Sequence, residues 1–256
     1  VSAGGLAESG YEAVELRGRP VAARPQAEIF RRNSAQPSRR AVLHVQAAED
    51  PAVPVELGAW YTARAFHFYV AGLRLPALAP VGTRPAARFL AAAFADLDAA
   101  CAHLRGSDGM TSLIVSASGR GAIAAALWCA ARPAAANALI LLAPRLPAGT
   151  SLSLDIDCPA LVLTDPAGSA PGGPVVPAGS PGPEERTTGR RLRGWSPRRR
   201  PAPADPAGLQ LGGHVTWLRL PAGSALGSPA GGQQFFDELG RWLGAYMYGH
   251  VRDQLL

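Results

Sequence analysis

The stretch Ile114-Val115-Ser116-Ala117-Ser118-Gly119-Arg120-Gly121 decides the fold. Ser112 to Ala117 reads as a short buried strand, and Gly119 to Ala131 as an Ala-rich helix ended near Pro133. A strand therefore runs straight into a helix through a small-residue turn, with Ser118 read at its apex. Such a turn is strained, so its neighbours two residues away must be small. It lifts a serine hydroxyl to the top of a sheet, where the first N–H groups and the positive dipole end of the helix favour an oxyanion. Ser116 and Arg120 stand where the motif G-x-S-x-G has its glycines, and Gly119 and Gly121 sit one place off. A strand-to-helix turn in any doubly wound sheet also favours Ser and Gly, so a nucleophile and a plain turn are both open at this point.

On both sides of this stretch the same rhythm repeats. Ala41 to Ala47 (AVLHVQA) is an apolar run of strand length, Val53 to Arg64 reads as a helix, and Phe66 to Ala71 as a second strand. Pro85 to Arg105 is a long helix with Phe89, Phe94, Leu97 and Leu104 near helical spacing. Beyond the turn, strands are expected at Ala138–Ala143, Ala160–Thr164 and His214–Leu220. A closing amphipathic helix is expected over Phe235–Tyr248. Strands alternating with helices predict an α/β fold: a doubly wound, mostly parallel sheet with helices on both faces. Residues 1–40 precede it as an N-terminal extension, with a strand pair near Tyr11–Leu16 and Gln26–Phe30. Residues 41–256 form the main domain. Within it, residues 166–213 are rich in Pro, Gly, Ala and Arg, show almost no apolar period, and read as a disordered insert.

The chain has 256 residues, of which 48% are hydrophobic, enough for a sizeable core, and its net charge is +6. Every basic residue is Arg. Seven of them lie in 184–200 with two Glu, so that segment carries +5 and the rest of the chain +1. The basicity belongs to one segment, and no specific nucleic-acid binding is expected. The Arg-rich segment itself reads as a solvated loop, an electrostatic tether or an out-of-frame artefact. No apolar run is long enough to predict a membrane span. Cys101, Cys129 and Cys158 are odd in number and widely spaced, which predicts neither a metal site nor a disulfide framework and fits a reducing cytoplasm. No cofactor fingerprint is present, so none is expected.

Several segments together resemble the α/β-hydrolases of the serine aminopeptidase, lysophospholipase and monoacylglycerol lipase type, in particular the actinobacterial members. They are Leu43-His44-Val45-Gln46-Ala47, Phe66-His67-Phe68-Tyr69-Val70-Ala71-Gly72-Leu73-Arg74, the turn with Ala126-Leu127-Trp128 and Leu142-Ala143-Pro144, Asp157-Cys158-Pro159-Ala160-Leu161-Val162-Leu163, and His214 to Tyr246. The resemblance covers roughly two thirds of the chain, in the family's order. It implies hydrolysis of an ester or acylglycerol, a small ester or lipid-like ligand, and Ser118 as nucleophile. It also implies backbone N–H groups of Gly119 and Ala47 as an oxyanion hole, and Asp165 or Asp205 as the acid.

The departures from the family bear on activity. Gln46-Ala47 stands where the family has His-Gly, and Gly72 where it has the Asp of D-L-R. The loop after the last strand, Leu220 to Ser228, contains no His, although the family's general base lies there. His44 and His67 fall in or beside core strands and read as structural. Only Arg145 to Pro159 lies where the family inserts a helical cap, so the cap is expected to be absent. A serine without a base is a poor nucleophile. The expectation is a serine-hydrolase relative with weak or no turnover. The alternatives are a non-catalytic binding protein, or repurposed chemistry in which Arg120 stabilises an anion.

Overall fold

The computed structural model describes residues 6, 8–16, 27–47, 55–73, 84–146, 152–164, 209–219 and 229–248. Among these residues, ten strands and four helices follow one another as β1 (Glu12–Ala13), β2 (Ala27–Arg32), β3 (Arg40–Ala47), α1 (Val55–Thr62), β4 (His67–Leu73), α2 (Arg84–Gly106), β5 (Ser112–Ser118), α3 (Gly119–Ala131), β6 (Ala138–Leu142), β7 (Leu152–Asp155), β8 (Ala160–Thr164), β9 (Leu209–Gly212), β10 (Val215–Arg219) and α4 (Pro229–Leu243). A π-helical turn, Gly244–Tyr248, continues α4.

Eight strands form one sheet in the order β1-β2-β4-β3-β5-β6-β8-β10. β2 runs antiparallel to both neighbours, and all other pairs are parallel. The central strands are buried on both faces, which is why they read as unbroken apolar runs. Alternation along each strand sorts the core into two layers. Leu43, Val45, Leu113, Val115, Leu139 and Leu141 pack with Leu97, Leu104, Ile123 and Trp128 of α2 and α3. Val42, Phe68, Ile114 and Ile140 pack with Leu57 and Tyr61 of α1 and with Phe235, Leu239, Trp242 and Leu243 of α4. The four α4 residues recur at i, i+4, i+7 and i+8, a single helical stripe.

The sequence reading differs from this fold in a few places. β7 and β9 are absent from it; they pair in parallel as a separate two-stranded sheet, Leu152 opposite Leu209 and Leu154 opposite Leu211. β9 lies within the 166–213 stretch read as an insert, and residues 166–208 of that stretch lie outside the described residues. Alternating Leu side chains bury one side of each short strand, a signal too brief to register as an apolar run. The Arg-rich 184–200 segment lies outside the described residues. Among the described residues no helical cap separates β6 from β8, and no helix is long and apolar enough to cross a membrane.

Candidate functional site

In an open parallel sheet, the carboxyl ends of the central strands are where loops converge and ligands bind. β3 and β5 are neighbours there, with Val45 opposite Ala117. Two residues further on, Ala47 closes β3 while β5 passes through Ser118 into Gly119, the first residue of α3. The register thus brings Gln46, Ala47, Ser118, Gly119 and Arg120 to one edge. α3 lies close over β3 because Gly121, in its first turn, carries no side chain on the face toward that strand. A Cβ on Gly121 would stand 2.7 Å from the Val45 carbonyl oxygen and 2.8 Å from Gln46 Cα, so nothing larger than glycine fits.

The backbone of the turn distinguishes Ser118 from Gly119. Ser118 is extended, at φ −123° and ψ 153°, and Gly119 takes the left-handed conformation at φ +54°. Glycine adopts that conformation without steric cost. Ala143, one residue past the end of β6, is also left-handed at φ +44°. The Gly119 carbonyl accepts the Arg145 N–H at 3.1 Å, which ties the turn to the segment after β6.

On the α1/α4 face of the sheet, the apolar pattern of β3 and β5 gives way to polar residues toward this edge. Val42 is followed by His44 and Gln46, and Ile114 by Ser116 and Ser118. His44, Gln46 and Ser116 are 1–2% exposed. The His44 ring is held between the two serines: Nδ1 lies 3.2 Å from Ser116 Oγ and Nε2 lies 3.4 Å from Ser118 Oγ. A neutral imidazole has one N–H and one lone pair, so one serine accepts from the ring and the other donates to it. The ring also stacks on Phe68 at 5.9 Å. Burial disfavours the imidazolium and pushes the His44 pKa down to about 4. Among the described residues no carboxylate faces the ring. Gln46 Oε1 is buried without a hydrogen-bond partner among those residues.

His44, which the sequence reading set aside as structural, is the imidazole that the register brings beside Ser118. The signal lay in parity: His44 and Gln46 on one strand and Ser116 and Ser118 on the next each alternate with apolar residues. His67 bonds Asn33 at 3.0 Å and His103 lies 3.5 Å from Asp108, so both belong to other contacts. His214 is exposed and precedes β10. Arg120 is the second residue of α3 and half-buried. The acid candidates Asp165 and Asp205, and His250, lie outside the described residues.

Neither a protein-family model nor a curated protein sequence matches the chain. Solved structures do. The esterase 2 of Thermogutta terrifontis phosphonylated by sarin is similar at TM-score 0.52 and 13% identity, over 92% of this chain and 94% of that one. The same esterase phosphoramylated by tabun gives 0.51 and 13% over 91% and 94%. Its paraoxon-phosphorylated form gives 0.50 and 14% over 92% and 94%. Together with the strand order, these similarities define the architecture as α/β-hydrolase-like.

Proposed function

We propose that this protein is a relative of the serine ester hydrolases that binds a small ester or acyl-like molecule with little or no turnover. The observation that carries the reading is the state of His44, the one imidazole beside Ser118 among the described residues. It is buried, its basicity is depressed to about 4, and a serine rather than a carboxylate backs it. A general base works best with a pKa near the working pH, and a buried imidazole without a carboxylate has little to stabilise the imidazolium it must become. The ester class is supported by the segments that resemble lysophospholipases and acylglycerol lipases, and by the esterases that share the fold. The odd number and wide spacing of Cys101, Cys129 and Cys158 in the sequence support a reducing, cytoplasmic setting.

The test is labelling with a fluorophosphonate probe, native protein beside Ser118→Ala. The expected result is no adduct that depends on Ser118. A Ser118 adduct forming at the rate of an active esterase would overturn the proposal. The 3.4 Å contact favours one second reading, residual hydrolysis by the Ser118–His44 pair. Slow p-nitrophenyl ester turnover that disappears in both Ser118→Ala and His44→Gln would favour it.

A further inference from the structure

The turn has two consecutive residues from which a side chain can be presented, and the backbone distinguishes them. Ser118 still belongs to the strand: it is extended, it ends β5, and its hydroxyl is turned to the buried ring of His44. Gly119 is the residue at which the chain reverses into α3, with φ +54°. The small neighbours that a strained turn demands are centred on Gly119. Ala117, two residues before it, is fully buried. Gly121, two residues after it, faces the β3 backbone so closely that no Cβ fits. Centred on Ser118, the same frame would put Arg120 in the second tight position. A sharp strand-to-helix turn that exposes a nucleophile does so from its strained residue.

We infer that Gly119 is the presenting position of this turn, so that the place from which a side chain would meet a bound acyl group is held by glycine. The apex then offers backbone alone to a ligand and has no side-chain nucleophile. The inference deepens the proposed function, and rests on it for the ligand being an acyl compound. The geometric assignment stands without that ligand. Ser118, one residue early, serves the hydrogen-bonded row with His44 and Ser116.

Thiol scanning tests the assignment. A cysteine needs no neighbouring base to react, and the N-terminus of α3 lowers its pKa at either position, so the difference in rate reads how far each thiol is presented. The native thiols make a slow background, because burial pushes Cys101 up to about 12, Cys158 up to about 11, and Cys129 upward as well. Gly119→Cys and Ser118→Cys are alkylated with iodoacetamide at neutral pH, with the sites mapped by mass spectrometry. The thiol at 119 is expected to react at least about tenfold faster than the thiol at 118. Equal rates, or a faster thiol at 118, would overturn the inference. If Gly119→Cys does not fold, Ser118→Cys decides alone. Its thiol should be protected at least about tenfold relative to the same variant in urea, and an unprotected native thiol would overturn the assignment. Neither readout involves an ester or the basicity of His44. A Ser118 fluorophosphonate adduct therefore counts against the proposed function, and the alkylation order against the present assignment.

Discussion

Replacing Gly121 by alanine tests the close approach on which the turn depends. The added methyl would stand 2.7 Å from the Val45 carbonyl oxygen and 2.8 Å from Gln46 Cα. Ordinary contact needs about 3.5 Å, so α3 and β3 must separate by roughly 0.7 Å. Both opposing atoms are backbone, and β3 is fixed on both sides by its pairing with β4 and β5. Overpacking of this kind costs about 1–3 kcal/mol, and an immobile partner places the cost near 3. Alanine recovers about 1 kcal/mol of helix propensity, which leaves a net loss of about 2 kcal/mol. With a urea m-value of about 2 kcal/mol/M, the unfolding midpoint should fall by about 1 M. Gly106→Ala is the control: it makes the same change at the end of α2, where nothing lies within 4 Å, and should hold or raise the midpoint. A Gly121→Ala midpoint equal to that of the native protein would refute the reasoning.

Three further outcomes are expected. His44 has a folded pKa of about 4 against 6.5 when unfolded. Below pH 6.5 the unfolded chain takes up a proton that the folded protein refuses, so stability falls as pH drops from about 6.5 to 4 and this contribution levels off beneath. The full difference approaches about 3 kcal/mol; in His44→Gln the gap between urea midpoints at pH 7 and pH 4.5 should narrow, and an unchanged gap would contradict the assignment. Asp98 accepts the Trp128 indole N–H at 2.9 Å and the Arg132 guanidinium at 3.0 Å. The ion pair is about 40% exposed on each side, so the indole bond should dominate: Asp98→Ala loses about 1–2 kcal/mol in urea unfolding while Asp98→Asn, which keeps an acceptor, loses less. The three native thiols should react slowly with Ellman's reagent at pH 8 and rapidly in urea; a fast thiol in the folded protein would show that burial does not control them.

The central strands were legible because parallel strands buried on both faces leave long apolar runs, and α3 because its Ala-rich stretch lies between Gly119 and Arg132. β7 and β9 were not: four residues with two leucines each define a strand only once paired, and the partner lies more than fifty residues away. At the turn, the sequence showed that Ser118 and Gly119 lie between a strand and a helix. Which of them reverses the chain depends on where the strand stops, a boundary that composition leaves loose. The pairing of His44 with Ser116 and Ser118 depends on the register of β3 against β5. That register is a property of the assembled sheet and is written in neither strand alone.

The row of two serines around one buried imidazole also constrains how this sequence can change. Removing either serine leaves a nitrogen of the buried imidazole without its partner, and removing the histidine leaves the buried Ser116 without its own, a cost of about 1–3 kcal/mol. Replacing all three by well-packed aliphatic side chains is far cheaper than the single costs would suggest, because no polar atom is left behind. The three positions are therefore epistatic. A lineage that loses the histidine should lose both serines soon after, and one that keeps it should keep all three, whether or not any of them still touches a ligand.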